Sequence, residues 1–380
     1  MDLPRRGMLG LLVAQSTLSI AGCGASSSAD RGVVNQNADV LRGILLAESA
    51  AAGTAAVIAG MWSGQEEVVV EATGYSTPGV PAAVGMHYRI GGITETFLVT
   101  LLFMLAEQGR IDLDAKISRW FPELIAADQV TARMLAGNTA GYIDYVNVKD
   151  WLDRLLADPF SPFTDDELIQ YSVRDGKMRF SPPGSSWAYS HTEYVILGQV
   201  IQRATGESIG SLYQRYLLTP LGLHDTQLPA GAAIQAPALH AYMLDRGSYE
   251  DSTAWTPSWA MSYGGLTSTV RDLGRWARIF GRGLLVSPAS HREITAPARL
   301  DLRSNPPALY FAHGFIYANG WYLQNPDFNG YSGAFAYNPT HDLTLVVVAT
   351  KNNAPAIDPA AIHILRKLVS YVTPGSTLNF

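Results

Sequence analysis

Strand-like sequence stands near both ends of this chain, with a long helical stretch between. Residues 54–62 and 66–73 are apolar runs split by Ser63-Gly64-Gln65, the pattern of a β-hairpin. Apolar strand-like runs return at 308–318, 334–337 and 343–350. From about 110 to 290 the chain reads as helices joined by Pro- and Gly-rich loops. Strands at both ends and helices in the middle point to one antiparallel sheet closed from both termini, with a helical lobe inserted. The fold class expected is therefore α/β of the α+β kind, its sheet flanked by terminal helices. Asp39 is placed to cap a first helix through Leu41, Leu45 and Leu46, and residues 360–372 put Ile362, Leu365 and Val369 on one face of a last one. The helical period of Phe97, Leu98, Leu101, Leu102 and Leu105 predicts a central helix ending at Gly109, with Gly92 and Glu95 in its first turn.

The N-terminus reads as an address. Arg5-Arg6, an apolar run from Met8 to Val13, and Ile20-Ala21-Gly22 directly before Cys23 resemble a bacterial lipoprotein signal over residues 1–22. Cys23 is the only cysteine, and its lipidation is expected. A buried free thiol fits poorly, because the sequence after it is polar and Ser-rich. Arg5-Arg6 also resembles a twin-arginine signal, so two export routes stay open. Residues 23–37 then read as a tether and 38–375 as the folded domain. The expected location is extracytoplasmic, held to the membrane by lipid. With Cys23 acylated no disulfide can form, so stability must come from the core. The net charge of −6, which becomes −7 when Asp2, Arg5 and Arg6 are removed, argues against a nucleic-acid partner.

Several stretches, in order, carry a resemblance. They are Tyr88-Arg89-Ile90-Gly91-Gly92-Ile93-Thr94-Glu95-Thr96-Phe97, Gly109-Arg110-Ile111-Asp112-Leu113-Asp114 with Trp120-Phe121-Pro122, and Asn138-Thr139-Ala140-Gly141. Pro183-Gly184 leading to Tyr189-Ser190-His191 follows, then Pro220-Leu221-Gly222-Leu223 and Gly264-Gly265-Leu266-Thr267. Together they resemble the serine β-lactamase and penicillin-binding-protein superfamily, in its class C β-lactamase, D-aminopeptidase and esterase branch. The resemblance implies a β-lactamase/transpeptidase-like fold across most of the chain. It also implies roles. The first segment would be Ser-x-x-Lys, with the serine as acylated nucleophile and the lysine helping to remove its proton. Glycine stands at the serine position, Gly92, and glutamate at the lysine position, Glu95. Tyr189 matches the tyrosine that serves as base or proton shuttle, and His191 stands where the family has asparagine. The third element, Lys-Thr-Gly or His-x-Gly on an edge strand, falls at Gln324-Asn325-Pro326, counted back from Gly330-Tyr331. A proline there removes a backbone donor where substrate would pair.

The residues themselves support a narrower chemistry. Gly92 has nothing to acylate, and Thr94, two residues along a helix, points away from it. A carboxylate at Glu95 suits the positive end of a helix dipole by about 0.3–1 kcal/mol, which favours a structural reading. Tyrosine needs a nearby cation to act as a base, and Glu95 would raise its pKa instead. Histidine, the residue type that exchanges protons in the neutral range, stands beside it at 191. Glu95, Tyr189 and His191 would share one cleft as a hydrogen-bonded filler network or as a new acid/base set. Three functions stay open: a non-catalytic binding or scaffold protein holding a cell-wall peptide or small molecule, a repurposed enzyme without a covalent intermediate, and a weak serine-hydrolase-like esterase or peptidase. No cofactor is implied, and His87, His224 and His363 lack metal-ligand spacing.

Overall fold

The computed structural model describes residues 34–298, 306–353, 357 and 359–378. The expected signal segment and Cys23 lie outside these described residues. The last four residues of the expected tether lie inside them and do not behave as a spacer. Val34 packs on the core, and the Asn35 N–H donates to the Val372 carbonyl at 2.9 Å. The first helix, α1, runs Ala38–Ala51 and is capped by Asn37, whose side chain accepts from the N–H groups of Asp39 and Val40. Asp39 is not the cap. It sits in the first turn and pairs with Arg42 at 2.9 Å. Leu41 and Leu45 are buried, but Leu46, one position on and about 100° around the helix, is 57% exposed.

The sheet contains β1 (Thr54–Ser63), β2 (Glu66–Thr77), β3 (Leu309–Phe311), β4 (Ile316–Ala318), β5 (Trp321–Gln324), β6 (Tyr331–Asn338) and β7 (Leu343–Lys351). Their spatial order is β2-β1-β7-β6-β5-β4-β3, every pair antiparallel. The two ends of the chain meet where β1 pairs with β7, in register from Val57↔Ala349 to Ser63↔Leu343. Along β1, Ile58 and Trp62 point to one core, and Val57, Ala59 and Met61 to the other. Both faces are apolar because both are covered. α1 and the last helix Ala360–Val372 cover one face, and the helical lobe covers the other.

Residues 308–318 are not the single strand that their unbroken apolar run suggests. β3 and β4 form a hairpin with Phe311 opposite Ile316. The turn is hidden from a polarity reading because Ala312 and Phe315, on either side of it, are buried. Gly314 supplies the positive φ, +77°, that the turn requires.

A tight turn at Gly91–Ile93 leads into the central helix α2 (Thr94–Glu107), which is buried on all sides from Thr94 to Phe103. Phe97 stacks on Trp276, centroids 3.7 Å apart, and the Trp276 indole N–H donates to Thr96 Oγ1 at 2.8 Å. α2 is therefore fixed in rotation, and so is its first turn. Among the described residues no helix is long and apolar enough to cross a membrane.

The hairpin tip rests on that first turn. A Cβ at Gly314 would lie 3.0 Å from the Glu95 carbonyl oxygen and 3.1 Å from Val99 Cγ2. Gly314→Ala is expected to lose about 1–3 kcal/mol in urea unfolding. Gly375→Ala, where nothing lies within 4 Å, is expected to change stability by less than about 0.5 kcal/mol. Equal losses in the two variants would show that the tip is not packed on α2.

Candidate functional site

The turn Gly91–Ile93 enters a cleft of about 440 Å³ whose lining includes Gly92, Tyr189, His191 and Gln324. Only glycine fits at 91, where φ is +50° and a Cβ would stand 2.8 Å from Pro326 Cβ. This close approach sets Gly92 between two side chains. A Cβ on Gly92 would lie 3.2 Å from Glu95 Oε1 and 3.6 Å from Gln324 Oε1. Thr94, the nearest hydroxyl along the helix, is buried and does not line the cleft.

Glu95 is fully buried. Its Oε1 accepts the Tyr189 hydroxyl, and its Oε2 accepts Gln324 Nε2 at 3.0 Å. Gln324 Nε2 also donates to the Gly314 carbonyl at 3.0 Å, while its Oε1 accepts the Asn325 N–H at 3.1 Å. Burial pushes the Glu95 carboxyl well above its ordinary range, against the hydroxyls of Tyr189 and Tyr194 and the Gln324 amide, with Asp144 adding to the rise. Burial likewise raises the Tyr189 hydroxyl.

Two expectations need correction. Attraction to the helix dipole does not account for Glu95. That attraction is about 0.3–1 kcal/mol, whereas burying an ionised carboxylate costs several kcal/mol. The balance favours the neutral acid, which the dipole does not hold. The Gln324 segment is also not on an edge strand. β5 lies between β6 and β4, and β4 pairs along it only as far as Leu323↔Ile316, so Gln324-Asn325-Pro326 continue past that pairing into the cleft lining. Pro326 lies beyond the strand, and its carbonyl accepts the Gly333 N–H at 2.8 Å.

His191 begins the helix α3 (His191–Thr205). Its Nδ1 lies 2.9 Å from Asp144 Oδ2, and its ring stands edge-on to Tyr189, centroids 4.8 Å apart at 87°. The expected set of Glu95, Tyr189 and His191 is thus adjacent but divided into two bonded pairs, Glu95–Tyr189 and His191–Asp144. Asp144 was not legible as a site residue. Its local mark is a turn cap, accepting the Val146 N–H at 3.2 Å. Glu193 was missed too. Its buried carboxylate accepts the N–H groups of Ala140, Gly141 and Tyr142 at 3.1, 2.8 and 3.1 Å. This nest holds the loop that carries Asp144 against the start of α3. Burial raises the Glu193 carboxyl to about 8, opposed by those three donors.

Trp187, Trp259, Phe311 and Phe328 form aromatic walls, with Trp259 stacked on Phe328 at 4.4 Å. Among the described residues no group of three or more His, Cys, Asp or Glu is arranged to hold a metal ion.

Comparison with known proteins gives a match to the Beta-lactamase family over residues 44–369. Penicillin-binding protein 4* of Bacillus subtilis (strain 168) is 23% identical over 314 residues, 75% of this chain and 66% of its own length. Penicillin-binding protein 4 of Amycolatopsis lactamdurans is 25% identical over 256 residues, 64% of this chain and 63% of its own length. The chain thus spans slightly under two thirds of these relatives. The D-stereospecific amidohydrolase from Streptomyces sp. superposes with a TM-score of 0.75 at 24% identity, covering 88% of this chain and 99% of that one. D-amino acid amidase from Ochrobactrum anthropi SV3, complexed with L-phenylalanine amide, gives 0.76 at 22% identity, covering 90% and 99%. Both share the mixed α/β fold with its antiparallel sheet.

The raised carboxyl has a pH signature. Folded Glu95 keeps its proton well above 4.5, while the unfolded chain loses it near 4.5. Its contribution to stability is therefore full below about pH 4.5 and declines as pH rises through the folded pKa. Glu95→Gln is neutral throughout and lacks this slope. In urea unfolding from about pH 5 to 9, the stability difference should shift steadily in favour of the glutamine variant. A difference independent of pH would mean that Glu95 is ionised in the fold.

Proposed function

Since the chain belongs to the Beta-lactamase family, we propose that it is a non-acylating member. In this reading it is a lipid-anchored protein of the cell envelope that holds a peptide-like or other small ligand in its cleft. One observation carries it. At the position of the nucleophile there is no side chain, and the Glu95 carboxyl stands 3.2 Å from where its Cβ would be, bonded to Tyr189 and Gln324.

Acyl transfer needs a nucleophile, a base and oxyanion donors. Gly92 offers no nucleophilic atom. The Tyr189 hydroxyl donates its hydrogen bond to Glu95 and so does not stand ready to take a proton. What remains is a cavity of about 440 Å³ walled by aromatic rings, within the range of small-molecule sites. The similar proteins are named as penicillin-binding proteins and D-amino acid amidases. From those names we carry over only a ligand class, amino-acid-derived amides.

Incubation of the protein with penicillin or a fluorophosphonate should leave its intact mass unchanged. D-phenylalanine amide should give a saturable change in tryptophan fluorescence, because Trp187 and Trp259 line the cleft. A stoichiometric adduct on a cleft hydroxyl would overturn the non-acylating reading.

The His191–Asp144 pair favours a second reading. With Nδ1 engaged by Asp144, Nε2 is the ring nitrogen left for a ligand in the cleft. It can take a proton from a bound ligand or water, with no covalent intermediate. Turnover of an amide that is lost in Asp144→Asn would support this reading over simple binding.

The anchor rests on the small-residue box before Cys23. Cys23→Ser should abolish labelling by radioactive palmitate and release the protein from the membrane fraction. A variant that stays labelled and membrane-bound would contradict it.

A further inference from the structure

A second groove, also about 440 Å³, opens where β1 begins and β2 ends, and it shares no lining residue with the cleft. Its walls carry three tyrosines, Tyr75, Tyr242 and Tyr249, with Thr54, Thr77 and Asn352 around them. Every residue that lines it is uncharged.

Two of the tyrosines, Tyr242 and Tyr249, are held in fixed orientations. Tyr242 and Tyr249 sit on a small hairpin in which Tyr242–Met243 pairs with Glu250–Asp251. Their rings stack, centroids 4.8 Å apart and 14° from parallel. The Tyr242 hydroxyl donates to the Ser76 carbonyl at 3.2 Å, and the Tyr249 hydroxyl to the Lys351 carbonyl at 2.8 Å. The polar tips are thus occupied by backbone, which leaves ring surface as the groove's working material. Tyr75, in the last turns of β2, is 58% exposed, an unusual position for a large aromatic ring. Burial raises both hairpin phenols, that of Tyr249 to about 12, so the groove stays neutral in the physiological range.

We propose that this groove binds a neutral pyranose oligomer. A sugar ring has an apolar face of C–H groups that packs on an aromatic ring, and a belt of hydroxyls that pairs with neutral donors and acceptors. The two fixed rings and the exposed ring of Tyr75, flanked by Thr and Asn side chains, offer both. The lining has no cation for a phosphate or carboxylate and no charge to attract an anionic lipid surface. The proposal does not depend on what the cleft binds.

The test titrates the full chain with chitotetraose, cellotetraose and maltotetraose, followed by calorimetry. Saturable binding of at least one is expected, and the N-acetylated oligomer against the two glucans distinguishes a cell-wall type of strand from a plain glucan. Tyr75→Ala and Tyr242→Ala should each weaken binding by about tenfold, equivalent to about 1.4 kcal/mol. Tyr75→Phe keeps the ring and should retain most of the affinity. Tyr75→Ala lies at an exposed position, so it should fold, and it should leave the D-phenylalanine amide titration at the cleft unchanged. The proposal is overturned if none of the three sugars saturates, or if the alanine variants bind as tightly as the parent. It is also overturned if Tyr75→Ala alters only retention on phosphatidylglycerol vesicles.

Discussion

A carboxyl group sealed from water at the start of a buried helix has to find its partners inside the protein. Glu95 finds them in segments remote in sequence, Tyr189 lying 94 residues away and Gln324 229. Those bonds form only when α2, the loop before α3 and the end of β5 have all reached their places. Two glycines allow the approach. Gly91 lies under Pro326, and Gly314 lies against the Glu95 carbonyl, each with a positive φ. The contact that closes the fold around α2 is therefore the same one that lies beside Gly92.

In the proposed reading, glutamate where the resemblance implies lysine reverses the direction in which a proton is held. A cation beside a tyrosine favours its ionised form and makes it a base. A carboxyl beside it accepts its hydroxyl and raises its pKa, as burial also does at Tyr189. In that reading the tyrosine is kept and its chemistry inverted. Membership of the Beta-lactamase family thus fixes the scaffold without fixing the reaction. The hairpin β3–β4 pairs along β5 only as far as Leu323 and leaves Gln324 and Pro326 at the cleft.

A second buried carboxylate organises the opposite wall. Glu193 gathers three backbone N–H groups of the 140–142 segment, and that loop delivers Asp144 to His191. The arrangement orients one ring nitrogen by a carboxylate and leaves the other toward the cleft, the geometry by which histidines are set for proton transfer. Binding and non-covalent catalysis share these walls. They differ only in whether a ligand places a labile proton at His191.

The sequence by itself determined the layout. Residues 54–73 and 343–350 read as apolar strand runs, and 94–107 and 360–372 carry the period of helices, where a side chain's face follows directly from its spacing. It also determined that Gly92 has no group to acylate. Tertiary structure decided the rest, for physical reasons that lie outside local pattern. The 308–318 run hid a turn because its flanking residues are buried as deeply as strand residues. Asn37 rather than Asp39 capped α1 because the chain enters the helix two residues earlier, tied at Asn35 to the last helix. Glu95 read as a first-turn carboxylate suited to a dipole, and burial made it a raised, hydrogen-bonded acid. Asp144 and Glu193 acquired their roles only through partners about fifty residues away, a separation that no spacing rule spans.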